Sequence, residues 1–492
     1  MTAWPMGGGS SAMLERTLVC DLAVSSGLIE ALWRDYNEER TYSAIGNVTP
    51  MEFIKHFQDR SQAAQESTSL TLVGERSQPS SMKKLSINLL LSYSSALVGF
   101  IVILLLARIL GAENFSWVAL GLAIGGFIVP LVNLGSDRTF VRDAIAWSHA
   151  GKVDELILSN LSQRVFVLLP ISIVLIASIF FFTDKITDTV SLVSFSLWAG
   201  LIGLYPASWF DYSHDVRRQN LVVLGERVAS LLLIGMFYTY THNAPEILLI
   251  GLSLLAIRGF SILLQIKSWW FHHAATPFHL KLALPRQDKD GINFHVTIAT
   301  VANACLTYGN QLLLASNDNP TELSSYSLAF QMMMIVFLFQ GQTIRLTSRS
   351  IAEACRSKSE ILRSLAYNAS LLFVGSAILA IGAWIAIQIL PHFLADPRFE
   401  TMSKFAIPLC IWVVLSGVGL AVSQHNLALN QEGFYLLTSL AGAAVALLLG
   451  FVFIPNYGAL AVALILLFVH GGLISVNTIR LLYVIPVREA CH

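Results

Sequence analysis

The stretch that decides the fold runs from Ile87 to Asp143 and reads INLLLSYSSALVGFIVILLLARILGAENFSWVALGLAIGGFIVPLVNLGSDRTFVRD. It contains two apolar runs of about 20 residues, the length that an α-helix needs to cross a hydrocarbon layer of roughly 30 Å. The polar turn Gly111–Asn114 separates the runs, and Arg138 and Arg142 follow the second run. This arrangement predicts a membrane hairpin, and similar apolar runs recur through the rest of the chain.

The composition is typical of a protein that crosses a membrane many times. The 492 residues are 55% hydrophobic and only 13% charged, whereas soluble proteins carry roughly 25% charged residues. The net charge is zero, which predicts no nucleic-acid partner. The five cysteines are scattered and the twelve histidines have no paired ligand spacing, so we expect no disulfide framework, metal centre or cofactor.

Twelve segments are candidate membrane spans, and the seventh and tenth are the least apolar, which leaves ten or eleven spans open. In chain order they are Ile87–Leu106, Phe115–Leu134, Val165–Phe182, Val190–Phe210, Leu221–Tyr240, Ile247–Ile266, Ile292–Ala315, Leu323–Ile344, Leu365–Leu390, Phe405–Ala421, Phe434–Ile454 and Leu460–Ile479. With the N-terminus inside, 20 loop Lys and Arg residues fall in cytoplasmic segments and four fall outside. This bias predicts that both termini are cytoplasmic.

An internal repeat divides the membrane part into two halves. The run Leu104–Ala107 (LLLA) recurs as Leu312–Ala315, and a basic segment follows each copy. We therefore predict an all-α polytopic membrane protein with about twelve helices in two parallel six-helix lobes, residues 82–285 and 286–492. Transporters built from such repeats place their substrate between the repeats.

Residues 1–81 have a different character, because they contain no spanning run. The segment Leu28–Gln58 resembles the C-terminal tail of DDE insertion-sequence transposases. The matching residues are Tyr36, Asn37, Arg40, Ser43, Ala44, Gly46, Thr49, Pro50, Glu52 and Phe53. We interpret residues 1–81 as a transposase-tail remnant plus linker, with the membrane protein starting at Met82; a cytoplasmic regulatory domain is the alternative.

Enzymatic motifs are missing from the sequence. It contains no GxxxxGK[ST], GxSxG or HExxH, so we expect a protein that is not an enzyme. The candidate site residues are instead polar groups at predicted membrane depth, where charges are costly and usually face a cavity or a partner. Arg258 lies inside a span, where it could bind an anionic headgroup or pair with a backbone carbonyl.

Three arginines at span ends, Arg108, Arg138 and Arg345, are either further substrate contacts or interfacial anchors. Arg138 and Arg345 occupy corresponding places in the two halves. Four amides in the second half suit sugar hydroxyls or interhelical hydrogen bonds; they are Asn303, Asn310, Gln311 and Gln331. Carboxylates are almost absent from the spans, and Glu226 in the first turns of the fifth span is one of the few.

Two segments of the first hairpin, ARILGAENFSWVALGLA and VNLGSDRTFVRDA, resemble the Wzx-type polysaccharide flippases of the multidrug/oligosaccharidyl-lipid/polysaccharide exporter superfamily. The matching residues are Ala107, Arg108, Leu110, Gly111, Glu113, Phe115, Ala119, Leu120, Asn133, Leu134, Gly135, Val141, Arg142 and Asp143. Pro206, Trp209 and Phe210 resemble the family's pattern at the end of the fourth span, whereas Asp211 departs from it.

The resemblance implies a flippase for undecaprenyl-diphosphate-linked oligosaccharide, the repeat unit of an O-antigen, capsule or exopolysaccharide. It places the protein in the bacterial cytoplasmic membrane, working by alternating access. The implied partners are the lipid-linked oligosaccharide, membrane lipid, and a glycan polymerase with its chain-length regulator. Two alternatives stay open: a cation-coupled multidrug exporter of the same superfamily, and a membrane glycan polymerase, which is an enzyme.

Overall fold

Every element that the structure describes is a helix. The computed structural model describes residues 79–136, 152–181, 186–213, 215–240, 247–274, 294–317, 319–354, 358–394, 396–429 and 431–489, with Phe140, Ala144 and Trp147. The transposase-like segment and Arg138 lie outside these residues. The prediction of an all-α membrane protein is confirmed.

Twelve α-helices follow one another in the described part of the chain. They are α1 (Pro79–Asn133), α2 (Val153–Phe181), α3 (Ile186–Gly200), α4 (Ala207–Tyr212), α5 (Val216–Tyr240), α6 (Ile247–His273), α7 (Phe294–Ala304), α8 (Asn310–Ala315), α9 (Pro320–Ala354), α10 (Lys358–Leu394), α11 (Met402–Ala428) and α12 (Glu432–Glu489). A 3₁₀ segment, Leu201–Leu204, lies between α3 and α4, and another, Pro397–Thr401, precedes α11. A π segment, Cys305–Gly309, joins α7 to α8.

These helices account for the twelve predicted spans. Nine stretches among the described residues are long and apolar enough to cross a membrane. Two of them, in α1 and α12, each contain two spans that meet at a glycine with positive φ, Gly111 (70°) and Gly458 (55°). The remaining span is α7 with α8, which the π segment divides into pieces too short to count as one long helix.

The predicted turn Gly111–Asn114 is therefore shorter in the structure than in the sequence analysis. Only Gly111 leaves helical geometry, and the helix resumes at Ala112. A left-handed φ is accessible to glycine without the steric penalty that a Cβ brings. One residue is thus enough to reverse the chain between two membrane spans.

The described helices pack in two groups, which we call the first and second lobes; the predicted boundary between residues 285 and 286 lies outside the described residues. In the first, α6 packs against α3 and α5, and α2 packs against α3; in the second, α11 packs against α9, α10 and α12, while α7 and α8 pack against α12. The largest buried cluster joins the groups, because Val102 and Phe115 of α1 share it with Tyr326 of α9 and Trp412 of α11. The described residues from Leu85 onward form one compact unit.

A set of contacts that we call the Gly111 clasp joins the two lobes at one end. The Asp396 carboxylate accepts a hydrogen bond from the Ala112 N–H at 3.0 Å. Arg398 lies 3.0 Å from Asp396 and 3.5 Å from Glu113, and the Ser324 hydroxyl donates to the Ala112 carbonyl. At the opposite end, Arg345 of α9 pairs with Asp211 of α4.

Gly458→Ala should destabilise the protein, because the alanine would hold a left-handed φ that costs about 1–2 kcal/mol. Its Cβ would also overlap the Glu322 carboxylate, which accepts a hydrogen bond from the Ala459 N–H at 2.8 Å. Gly382→Ala is the matched control, since Gly382 lies inside α10 with open space around it. Thermal unfolding in detergent should show a lower midpoint for Gly458→Ala and an unchanged or higher one for the control; equal midpoints would contradict the prediction.

Candidate functional site

The site is built around a membrane span whose helix is broken. Between α3 and α4 the chain passes through the 3₁₀ segment Leu201–Leu204 and then Pro206, which has no N–H to donate. Backbone carbonyls near such a break lose their helical partners, and in hydrocarbon each must find another donor. Two buried arginines from other helices supply donors at this break.

Arg164 of α2 donates to the carbonyls of Gly203 and Tyr205 at 3.1 and 3.0 Å. Arg258 of α6 donates to the carbonyl of Trp198. Its guanidinium also lies over the Trp198 ring, 4.4 Å from the centroid, where a cation is attracted by the π electrons. This hydrogen bond agrees with one of the two interpretations of Arg258, namely that it pairs with a backbone carbonyl. It occupies one nitrogen of the guanidinium.

Glu226 of α5 neutralises Arg258. The Arg258 Nε donates to Glu226 Oε1 at 2.9 Å, and the two side chains are 1% and 0% exposed. The Tyr205 hydroxyl donates to the other carboxylate oxygen. A buried ion pair is tolerated when further hydrogen bonds satisfy its remaining atoms. Tyr205 and the Trp198 carbonyl provide such bonds here, whereas the Arg258 Nη2 has no partner among the described residues.

Arg227 follows Glu226 in α5, but it lacks contacts of the kind that hold Arg258. It makes neither a hydrogen bond nor an ion pair with any residue that the structure describes. It lies eleven residues after Val216, the start of α5, which at 1.5 Å per residue is about 16 Å along the helix. The Glu226 carboxylate acts on both Arg227 and Arg258, so these three side chains together carry one net positive charge within a membrane-length helix bundle.

A cavity of about 180 Å³ lies beside Arg227 and Arg258, between the two lobes. Gly99 of α1 faces Arg227 closely: a Cβ at that position would lie 3.3 Å from the Arg227 Nε. The lining residues are Ala96, Gly99, Phe100, Ile103 and Leu122 of α1, Trp198, Ile202, Arg227, Arg258, and Gln331, Met334 and Ile335 of α9. With Arg258 paired to Glu226, the described wall carries one net positive charge, that of Arg227.

Two of the sequence-predicted site residues, Arg258 and Gln331, thus line one cavity. Asn303 lines a different cavity in the second lobe, and Asn310 and Gln311 are buried in α8 on neither cavity wall. Arg345 pairs with Asp211, and Arg108 lies over the Phe393 ring, 5.0 Å from its centroid. Arg138 falls outside the described residues.

The sequence pattern places Arg227 at the cytoplasmic end of a span and does not indicate it as a site residue. In the structure α5 begins at Val216, five residues before the predicted span, and the Arg227 side chain lines the inter-lobe cavity. The pair Glu226-Arg227 at the start of an apolar run was the available signal.

Residues 81–341 match the pattern of the family described as polysaccharide biosynthesis protein. The chain belongs to this family. Among curated proteins no match is found. The fold is similar to that of an inward-facing multidrug resistance MATE family transporter of the MOP superfamily, with a TM-score of 0.57 and 13% identity over 83% of this chain and 99% of that one. An outward-facing MATE transporter structure gives 0.53 and 12%, over 83% and 96%.

These matches describe a multi-pass membrane protein of a polysaccharide biosynthesis family with a transporter fold. A MATE structure in complex with MaD5 is also similar, with a TM-score of 0.55 and 12% identity over 83% of this chain and 96% of that one. At such low identity the structural similarity concerns the fold alone.

Glu226→Gln should destabilise the first lobe, because it leaves the Arg258 charge buried without its counter-ion. Removing one partner of a buried ion pair typically costs about 3–5 kcal/mol. The double variant Glu226→Gln, Arg258→Gln removes both charges and should recover most of the loss, as measured by thermal unfolding in detergent. A double variant at least as unstable as the single one would contradict the neutralising role of Glu226.

Proposed function

We propose that this protein is a flippase that moves a lipid-linked oligosaccharide across the membrane, with the diphosphate of the lipid bound beside Arg227. The observation that carries the proposal is the unpaired Arg227 guanidinium in a cavity between the lobes. Arginine binds phosphate oxygens in a fork of two hydrogen bonds. Glu226 pairs with the Arg258 Nε, so Arg227 carries the net positive charge of the wall, and the Arg258 Nη2 is a further donor without a described partner.

A lipid-linked oligosaccharide needs a polar binding site in order to cross a membrane. A diphosphate and a set of sugar hydroxyls cannot cross hydrocarbon without polar partners, since each unsatisfied group costs several kcal/mol. A cleft between two lobes can supply those partners to the headgroup while the polyprenyl chain stays in the lipid. The family match to polysaccharide biosynthesis proteins supports a glycan as the cargo.

Transport by alternating access requires the contacts between the lobes to break in turn. The Gly111 clasp closes one end of the cleft, and the Arg345–Asp211 pair bridges the lobes at the other end. The Lys and Arg bias of the loops orients the Gly111 end toward the outside. In this interpretation Arg345 acts as a gate contact and not as a substrate ligand.

Arg227→Gln should impair export of the glycan, because it removes the charge that meets the diphosphate. A hydrogen bond to a charged group contributes about 1.5–3 kcal/mol, which corresponds to a loss of roughly 10- to 100-fold in transport at limiting substrate. The measurement is the amount of surface glycan and of lipid-linked precursor in cells whose own gene has been deleted and replaced by the variant.

Arg218→Gln is the matched control, since Arg218 is on the same helix but lies outside the cavity wall and pairs with Asp215 at 3.3 Å. It should export as the wild type does, and Arg227→Lys should retain part of the activity. Normal surface glycan in Arg227→Gln cells would remove Arg227 from the site. Unchanged surface glycan and precursor after deletion of the gene would refute the proposed function itself.

The clasp should stay closed throughout the neutral and mildly acidic range. Burial raises the pKa of the Asp396 carboxyl, but hydrogen bonds from the Arg398 side chain and from the N–H groups of Ala112 and Arg398 outweigh burial and lower this pKa below its ordinary value of about 3.9. Because the pKa of Asp396 is lowered, its ionised carboxylate stabilises the folded, closed state at every pH above the ordinary pKa. This contribution to stability is lost as the pH falls through the lowered pKa.

Asp396→Ala should therefore open the Gly111 end, whereas a change from about pH 8 to pH 5 should not. The measurement is maleimide labelling of Gln331→Cys in the inter-lobe cavity, in a background with the five native cysteines replaced by serine. A membrane-impermeant reagent should label the Asp396→Ala form faster at both pH values. Because maleimide reacts with the thiolate, the rates are compared as a ratio of the two forms at each pH; a parent form whose rate approaches that of Asp396→Ala at pH 5 would contradict the assignment.

A cation-coupled multidrug exporter is the second candidate, and the similarity to MATE transporter structures supports it. The sign of the charge argues against it, because a cavity with a net positive wall repels cationic drugs. Drug susceptibility of the deletion strain separates the two candidates: it should be unchanged for a glycan flippase and raised for a drug exporter.

A further inference from the structure

A second cavity, of about 290 Å³, lies wholly within the second lobe. It is lined by α7, the π segment, α9, α11 and α12. Its lining residues are Asn303, Thr307, Phe337, Gln340, Trp412, Ser416, Gly419, Leu420, Ser423, Tyr435, Thr438, Ser439, His470, Leu473, Ile474 and Asn477. None of them is Asp, Glu, Lys or Arg, so the described wall is polar without a permanent charge.

Aromatic rings form one side of this cavity. The Trp412 and Phe337 rings lie 5.1 Å apart, and the His470 ring meets Trp412 edge-on at 5.6 Å. Amides and hydroxyls form the other side. The Asn303 amide donates to the Tyr435 hydroxyl at 2.9 Å and to the Ser439 hydroxyl at 3.2 Å. These contacts hold the polar groups in fixed positions.

Two polar atoms of the wall have no partner among the described residues. They are the Asn477 Oδ1, which is an acceptor, and the Trp412 Nε1, which is a donor. Asn477 is 6% exposed and Trp412 is 1% exposed. A buried polar group without a partner destabilises a fold, so each one in a native protein calls for an explanation such as a missing ligand or water.

We propose that this cavity binds an uncharged sugar unit of the transported glycan. A sugar hydroxyl both donates and accepts, so this ligand class matches the chemistry of the Asn477 acceptor, the Trp412 donor and the hydroxyls and amides that line the cavity. The volume is close to the lower end of small-molecule sites, roughly 300 Å³, which suits one sugar unit better than a whole oligosaccharide. The proposal rests on the proposed flippase function and adds a second binding site to it.

The chemistry of the wall separates this cavity from the inter-lobe cavity. Arg227 gives the inter-lobe cavity a positive charge that suits phosphate, whereas the described wall of the second cavity offers only neutral groups. A metal cation would prefer carboxylate ligands, and the described residues contain no cluster of His, Cys, Asp and Glu that could hold one. Water is the remaining alternative occupant, and the experiment distinguishes it.

The test compares Asn477→Leu with Asn368→Leu. The two asparagines are matched: each donates through Nδ2 to the carbonyl four residues earlier, at 2.8 Å to Leu473 and 2.9 Å to Ser364, and each has an Oδ1 without a described partner. Both are buried in the second lobe, but only Asn477 lines the cavity.

In a strain that lacks its own copy of the gene, Asn477→Leu should lower surface glycan about three- to tenfold and raise the lipid-linked precursor pool. Asn368→Leu should export as the wild type does. Equal export by the two variants, in a strain where deletion itself blocks export, overturns the sugar site and leaves the proposed function standing. An unchanged precursor pool on deletion overturns the proposed function instead.

Thermal unfolding of the purified protein shows whether each variant is folded, and it also tests ligand binding directly. The probes are a panel of neutral monosaccharides and, separately, inorganic pyrophosphate. At least one neutral sugar should raise the midpoint of the wild type and of Asn368→Leu but not that of Asn477→Leu, while pyrophosphate should raise all three midpoints. If no sugar distinguishes Asn477→Leu from the other two, the cavity holds water and the proposal is wrong.

Discussion

The structure depends on satisfying backbone carbonyls at a broken membrane helix. Over residues 201–206 the chain leaves α-helical geometry, and hydrocarbon offers no donor for the carbonyls that this frees. Arg164 and Arg258 donate to them from neighbouring helices. Arginine suits this task because its planar group donates in several directions at once. Two buried positive charges therefore follow from the break itself.

The net charge of the inter-lobe cavity depends on the counter-ion of Arg258. Glu226 forms the ion pair with Arg258, and Tyr205, which lies within the break, donates to the same carboxylate. Arg227 is the next residue of α5, so it projects from the same turn of helix without a carboxylate of its own. The carboxylate that compensates Arg258 and the guanidinium that can meet an anion thus belong to consecutive residues, Glu226 and Arg227.

The membrane spans are predictable from the sequence because the length and hydropathy that define a span are properties of each segment alone. The π segment within the seventh span and the single-residue break at Gly111 are not predictable in this way, since both depend on tertiary packing. The same limit applies to the site. Arg258 was recognised because apolar residues surround it in the sequence, whereas Arg227 looked like the end of a span. The partner of Arg345, Asp211, is distant in sequence and no local pattern identifies it.

Helix α9 connects every part of the proposed mechanism. Ser324, near its start, joins the Gly111 clasp, and Arg345, 21 residues later, pairs with Asp211 of the other lobe; at 1.5 Å per residue these contacts are about 32 Å apart, the full depth of a membrane. Between them, Gln331 lines the inter-lobe cavity and Gln340 lines the second cavity. A rocking motion that releases one end of this continuous helix must tilt its middle. The two cavities therefore change together, which is what a carrier needs if it holds the charged and uncharged parts of one headgroup at separate sites.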